Sequence, residues 1–403
     1  MHNNKYSKTE LSLFRKKVSE WLRINKPKDP GFLLPQTFME IGSEEVLNFL
    51  REWQFKLWSS GFLGMSWPSE FGGQDLPPIF QKIADEEMKK QKVPICFNVI
   101  GLGWAGPLII DIGTEEEKRK YLKGILSGDD IWCQGFSEPE AGSDLGNTQC
   151  SARKDGDEYV VNGSKIWTSL GTYAKYMILL ARTSRDASSK YAGLSFFLAP
   201  MKTDGIEPKP IQKLTGEYGF CQTFFEDARI PSDCLMGNEG DGWRTAMITL
   251  TFERGASGGQ AGGTSMMELN VNDVLELARR SKRNGQPAIE DAFVREQLVN
   301  FFIESKGNQL MNARVKEPAL IGEWPSAVPL SGKLRNTEFR RRLTKFSLAL
   351  MGANGGRYVS PEAVDNGKWQ RSYLNSFSAT IGGGTSEIQH NILGERVLGL
   401  PKD

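Results

Sequence analysis

Histidine is almost missing from this chain. His2 and His390 are the two among 403 residues. They cannot build a His-rich metal centre or an obvious Ser-His-Asp triad, which leaves any acid–base chemistry to carboxylates. Cysteine is also sparse. Cys96, Cys133, Cys150, Cys221 and Cys234 are odd in number and scattered, without C-x-x-C spacing, so they read as reduced thiols of a cytoplasmic protein rather than a disulfide framework. A dominant charge is lacking too: 50 Lys and Arg face 49 Asp and Glu, net +1, which gives no electrostatic case for nucleic acid or an anionic membrane. No apolar run approaches the roughly 18 residues of a membrane helix, and the opening MHNNKYSKTE lacks the apolar core of a signal peptide. There is no internal repeat of solenoid length and no low-complexity stretch. What is present, 39% apolar and 25% charged residues, describes a soluble globular protein, long enough for two or three domains.

Taken in order, residues 1–130 read as helical. Ser7 and Glu10 form a capping box ahead of Leu11, Phe14, Val18, Trp21 and Leu22 on one face. Ser43 opens a second helix that closes at Gly61. Thr114 and Glu117 cap another, carrying Tyr121, Leu122, Ile125 and Leu126. Between them Gly64-Met65-Ser66-Trp67-Pro68 to Gly73 is too rich in Gly and Pro for regular structure. Near Asp130 the period changes. Asp155-Gly156 and Asn162-Gly163 are turn dipeptides, and strands are expected at 158–161, 165–168, 176–180, 194–198 and 223–225. Residues 131–242 therefore predict an antiparallel β-barrel or sandwich. Helical periodicity returns over 243–403, with long helices expected near 243–254, 264–281, 291–315 and 336–351, and with Pro287, Pro318, Pro325 and Pro329 at the joints.

The closing stretch Ile381-Gly382-Gly383-Gly384-Thr385-Ser386-Glu387-Ile388-Gln389 joins a glycine loop to a helix start. Ser386 fits the N-cap and Gln389 completes an S-x-x-Q capping box. Free N–H groups at such a terminus suit phosphate or an oxyanion; the same residues also suit a plain loop-to-helix junction.

Four motifs together are more specific. Gly64-Met65-Ser66-Trp67-Pro68, the run Trp132-Cys133-Gln134-Gly135-Phe136-Ser137-Glu138-Pro139-Glu140-Ala141-Gly142-Ser143-Asp144, then Asn162-Gly163-Ser164-Lys165-Ile166-Trp167-Thr168-Ser169, and the closing Gly-Gly-Thr-Ser-Glu-Ile-Gln occur in one order. The chain resembles the acyl-CoA dehydrogenase family from about residue 7 to its end. That resemblance implies an α+β multidomain fold: an N-terminal α-helical domain, a middle antiparallel β-barrel and a C-terminal four-helix bundle. It implies FAD held between the last two domains, acyl-CoA as substrate, an electron-transfer flavoprotein as acceptor, and a homo- or heterotetramer. By the same resemblance Phe136, Ser137, Gly142 and Ser143 line the flavin's pyrimidine side, with Ser143 also near substrate. Trp167 flanks the ring, and Ser169 faces flavin N5. Thr385 and Glu387 lie toward the phosphate and adenosine end. Gly352 and Gly355 allow close approach to the pyrophosphate. Arg283 is the candidate for the neighbouring subunit's arginine, and Ala349 stands where the family pattern has Gln.

The departure concerns the base. Many members carry it immediately before the Gly-Thr of the closing motif, and this chain has Gly383 there. The alternative position, used by isovaleryl-CoA and long-chain acyl-CoA dehydrogenases, precedes an arginine on the helix opening the C-terminal domain. This chain reads Thr251-Phe252-Glu253-Arg254. The resemblance therefore implies Glu253 as base, Arg254 beside the substrate, and the Gly383 N–H as part of the oxyanion hole. The vacancy at Gly383 keeps two rivals open: a non-catalytic subunit of a hetero-oligomer, and a flavin acyl-CoA oxidase.

Overall fold

The computed structural model describes residues 6–185, 188–253, 269–314 and 327–402. It divides into two compact units, residues 1–267 and 268–403.

In the first unit, helices α1 (Lys8–Asn25), α2 (Glu44–Ser59), α3 (Pro78–Lys90), α4 (Gly106–Ile112) and α5 (Glu115–Ser127) precede the sheet. The capping boxes at Ser7/Glu10 and Thr114/Glu117 form as the spacing predicts, satisfying N–H groups that the first turn of a helix leaves open. A π-helical turn, Gly101–Ala105, leads directly into α4. The seven strands are β1 (Trp132–Gly135), β2 (Ser151–Asp155), β3 (Glu158–Ser169), β4 (Tyr176–Arg182), β5 (Leu194–Pro200), β6 (Ile206–Ile211) and β7 (Phe220–Pro231). They form one curled sheet in the order β1-β4-β2-β3-β7-β6, with β5 on β4. Most pairings are antiparallel, but β1 runs parallel to β4, with Trp132 opposite Tyr176.

Alternation along the central strands builds two cores at once. Ile178 and Leu180 of β4 and Phe196 and Leu198 of β5 pack into the core shared with the helices. Met177, Leu179, Ala181, Phe197 and Ala199 fill a separate core on the opposite face. This is the two-residue period of a strand buried on both sides.

One expected turn is absent. Asn162-Gly163 does not end a strand; β3 runs through it, with its pairing to β7 shifting between Val161 and Gly163. Asn162 instead gives its amide to Asp227, Nδ2 donating at 3.0 Å and Oδ1 accepting the Asp227 N–H at 2.9 Å. The dipeptide's turn chemistry is spent on a bulge.

Helix α6 (Gly242–Glu253) follows β7 and packs in the first unit, its Ala246 and Phe252 joining the helical core.

The second unit holds α7 (Val271–Arg280), a two-residue hairpin β8 (Lys282–Arg283) and β9 (Gln286–Pro287), α8 (Ala292–Arg314), α9 (Ala327–Leu350), α10 (Lys368–Ile381) and α11 (Ser386–Arg396). Its core gathers Val274, Leu277, Val294, Leu298, Phe301, Leu343 and Trp369. Pro329 lies within α9, whose first described residue is Ala327, rather than at a joint. Pro318 and Pro325 lie outside the described residues.

Candidate functional site

Helix α6 shows one face to a cleft of about 860 Å³ in the first unit. Arg244, Met247, Ile248 and Thr251, spaced at i, i+3, i+4 and i+7, line it with Phe252. Ser66 and Trp67 of the Gly/Pro-rich loop and Pro107, Ile110 and Asp111 of α4 form the rest. The opposite face of α6 is buried through Thr245, Ala246 and Thr249, and the Thr249 hydroxyl returns a hydrogen bond to the Thr245 carbonyl at 2.9 Å. The loop entering the helix is tied to β5 by the Met236 N–H, which donates to the Phe196 carbonyl at 2.9 Å. Glu253, the last described residue of α6, is half-buried and is not among the residues lining this cleft; nine residues beyond Arg244, it lies half a turn round the helix from the lining face. Arg254 lies outside the described residues. Sequence reasoning did not single out Arg244 or Asp111. They are the charged groups of an otherwise largely apolar lining, and only folding brings α4 and α6 together.

The two motifs expected on either side of a flavin ring meet directly. The Phe136 ring is buried edge-on to Phe196, with centroids 5.8 Å apart. The Ser137 carbonyl accepts the Ile166 N–H at 2.8 Å. That N–H is free because pairing between β3 and β7 slips between Lys165/Thr223 and Thr168/Cys221, placing Ile166 and Trp167 opposite the single residue Gln222. Trp167 sits in this bulge at φ +61, a left-handed conformation that costs a non-glycine residue roughly 1–3 kcal/mol. Its ring meets Phe220 edge-on at 5.9 Å and remains 56% exposed. A strained backbone presenting a bare indole suits a flat partner ring. Ser169, two residues on, is nearly buried at the end of β3. Gly142 and Ser143 are exposed on the turn beyond the Glu138–Ala141 bridge.

A buried ion pair that sequence reasoning missed lies behind these residues. Lys165 Nζ donates to Glu138 Oε1 at 2.7 Å and to the Phe136 carbonyl at 3.0 Å. Glu138 also accepts the N–H groups of Gln149 at 2.7 Å and Cys150 at 2.9 Å. Both residues stand inside the quoted motifs, but nothing in their spacing marks them as partners.

In the second unit the glycine turn has the backbone its sequence requires: Gly383 at φ +64 and Gly384 at φ +91, a region closed to most side chains. Thr385, not Ser386, is the N-cap of α11, its hydroxyl accepting the Ile388 N–H at 3.2 Å. The expected S-x-x-Q capping box therefore does not form, because the residue three beyond Thr385 is Ile388. Ser386 is freed to donate to Glu338 Oε1 at 2.6 Å, and Gln389 Nε2 donates to the Gly383 carbonyl at 3.2 Å. Lys333 Nζ donates to the Gly384 carbonyl at 2.5 Å. Lys333 and Glu338 of α9 thus hold the turn from one side. The Glu387 carboxyl, in the first turn of α11, is held below its usual range by its own N–H and by the Thr385 hydroxyl. Gly352 and Gly355 lie in the short helical turn Gly352–Gly356 after α9. Arg283 is engaged within its own chain, its Nε 3.0 Å from Asp291 and its guanidinium over the Phe293 ring.

The residues present fit a flavin dinucleotide. Within the first unit an uncovered, conformationally strained indole offers a platform for a flat ring, and within the second a glycine turn at a helix N-terminus offers N–H donors for oxygen anions.

Comparison with known proteins follows the same order along the chain. Domain models described as acyl-CoA dehydrogenase N-terminal, middle and C-terminal domain match residues 37–129, 133–228 and 240–398. Acyl-CoA dehydrogenase IpdE1 of Mycobacterium tuberculosis is 36% identical over 396 residues, covering 98% of this chain and 99% of the relative. Among solved structures, the Tcur3481-Tcur3483 steroid ACAD superposes with a TM-score of 0.81 at 30% identity, covering 99% of each chain. The ChsE4-ChsE5 complex from Mycobacterium tuberculosis does so at 0.78 and 28%, covering 100% of each.

Proposed function

This chain belongs to the acyl-CoA dehydrogenase family, and on that premise we propose that it converts an acyl-CoA thioester to the trans-2-enoyl-CoA with Glu253 as the base. The observation that carries this reading is the pairing of two facts. The position before Gly384-Thr385 is a glycine at φ +64, and α6, which walls the cleft with its other face, carries the half-buried carboxylate Glu253. Glu253 takes the α-proton. The Gly383 N–H would stabilise the negative charge that develops on the thioester carbonyl as the proton leaves. FAD, when bound, accepts the β-hydride. Phe136, Ser137, Trp167 and Ser169 would hold its ring, and Gly352, Gly355, Thr385 and Glu387 would serve its far end. The proposed electron acceptor is an electron-transfer flavoprotein.

The acyl group we infer is bulky and polycyclic. A cleft of about 860 Å³ lies near the top of the usual range for small-molecule sites, and a solved relative is described as a steroid ACAD. A tetrameric assembly is part of the proposal. The outer face of α8 exposes Val299, Phe302, Ile303 and Leu310, a stripe that a partner helix would cover. Two related structures carry paired chain names, which favours a different chain as partner. No described helix is long and apolar enough to cross a membrane, and the five cysteines are free and buried, in keeping with a cytoplasmic setting.

Anaerobic mixing with a panel of acyl-CoAs tests the reading. Bulky polycyclic thioesters should bleach the flavin absorbance. Glu253→Gln should slow that bleaching by about 10²- to 10⁴-fold, the usual contribution of a positioned base, while FAD stays bound. Wild-type rates in Glu253→Gln would remove Glu253 from the chemistry. Failure of every acyl-CoA to reduce bound FAD would move the chain to the role of helper subunit, a reading that Ala349, in place of a polar flavin contact, otherwise favours.

A further inference from the structure

We infer that Lys165 and Glu138 are positioning residues for the flavin: their buried pair sets the geometry of both segments that hold the ring. This rests on the FAD reading above.

Three bonds fasten the loop after β1 to the bulge in β3. Lys165 Nζ donates to the Phe136 carbonyl, the Ile166 N–H donates to the Ser137 carbonyl, and the Lys165 ammonium meets the Glu138 carboxylate, at 3.0, 2.8 and 2.7 Å. The Lys165 side chain is fully buried and that of Glu138 is 6% exposed. A lysine is hardly ever placed there without a specific partner. Glu138 Oε1 accepts both Lys165 and the Cys150 N–H, and Oε2 accepts the Gln149 N–H. The carboxylate thereby closes the 138–150 loop, which carries Gly142 and Ser143, as well as gripping β3.

The chain order gives the pair its consequence. Lys165 is the last residue of β3 in register with β7 before the slip, and Trp167 at φ +61 follows two residues later. The bulge is not held by the ladder, because the Ile166 N–H is turned away from β7. It is held by the loop, and the loop is held by Glu138. Without the pair, Ile166 can return to ordinary pairing and Trp167 can relax to extended backbone, turning the indole from its exposed position and moving Ser169 with it. The Phe136 and Ser137 carbonyls lose their anchors in the same step.

The test uses the full-length protein in its purified assembly, stripped of FAD and titrated with FAD by fluorescence. Lys165→Met, Glu138→Gln and the doubly neutral Lys165→Met/Glu138→Gln are compared with Arg229→Ala. The last breaks the exposed ion pairs of Arg229 with Asp155 and Glu158, 2.9 Å each, at the other end of the same strands. The pair variants should bind FAD about 10- to 100-fold more weakly, the loss typical when a group orienting a direct ligand contact is removed. They should also shift Trp167 emission and the flavin midpoint potential, and lower kcat with little change in the KM for acyl-CoA. Arg229→Ala should lower thermal stability and leave FAD affinity unchanged. If the single variants fail to fold because one buried charge is left alone, the double variant decides. A folded double variant with wild-type FAD affinity, midpoint potential and Trp167 emission would overturn the inference and leave the flavin reading standing. Wild-type protein that takes up no FAD would sink both.

Discussion

Replacing Gly106 with alanine should damage stability and substrate choice together. Gly106 opens α4, and its N–H donates to the Gly101 carbonyl across the π-helical turn. A Cβ added there would lie 2.0 Å from Trp67 Cη2, 2.7 Å from Cζ2 and 2.8 Å from the Gly101 carbonyl oxygen. Carbon atoms rest about 3.5–4.0 Å apart, so the indole or the helix must give by about 1.5 Å. The indole has little room: Trp67 is 2% exposed, and its carbonyl accepts both Gln74 N–H at 2.9 Å and Asp75 N–H at 3.0 Å. Overpacking of this kind costs roughly 1–3 kcal/mol, and alanine's better helix propensity returns at most about 1 kcal/mol. A net loss of about 1 kcal/mol should lower the melting temperature by about 2–4 °C for a unit of this size, measured by calorimetry. Trp67 also lines the cleft, so its displacement should reduce kcat/KM for bulky acyl-CoAs by at least about tenfold, equivalent to 1.4 kcal/mol, with short acyl chains less affected. Wild-type melting and an unchanged preference across the acyl-CoA panel would refute both the rigidity of Trp67 and its place in the acyl site.

Two further predictions concern the second unit. Asp365 holds Arg280 through two hydrogen bonds at 3.1 and 2.7 Å and accepts the Trp369 indole N–H at 2.7 Å; the Arg280 hydrogen bond leads in keeping its carboxyl below the ordinary 3.8. Because the folded value is depressed, the stabilisation is complete above about 3.8 and disappears as pH falls through the lower folded value. Asp365→Asn tolerates the same φ of +50. It should cost about 1 kcal/mol at neutral pH, screening at these partly exposed groups keeping the figure small. It should also flatten the acid limb of the stability curve; an acid limb identical to wild type would rule this out. Ile303→Asp alters an α8 position 65% exposed in the single chain; sedimentation should show a smaller assembly with an unchanged fold, and an unaltered sedimentation coefficient would remove α8 from the interface.

Local signals in the sequence were read well because they depend on neighbours only. The capping boxes at Ser7 and Thr114 and the turn at Asp155-Gly156, with Gly156 at φ +63, form as their residue types dictate. The order of helical, β and helical segments was equally legible from periodicity. Errors arose where a distant group competed for a local signal. Asn162 spends its amide on Asp227, so a turn dipeptide becomes a bulge. Glu338 takes the Ser386 hydroxyl and leaves the cap to Thr385. The Lys165–Glu138 pair, 27 residues apart, and the charged cleft lining at Asp111 and Arg244 have no local signature at all. They exist only after the sheet and α6 have assembled.

The C-terminal domain model begins at residue 240, yet α6 packs with what precedes it. Inheritance and architecture therefore disagree over who owns that helix. A recombinant joining two relatives at the inherited seam would import a foreign wall for the proposed acyl cleft, and a foreign Glu253 with it. Selectivity would travel with the fragment that looks least concerned with it, whereas a crossover placed after α6 would leave selectivity behind.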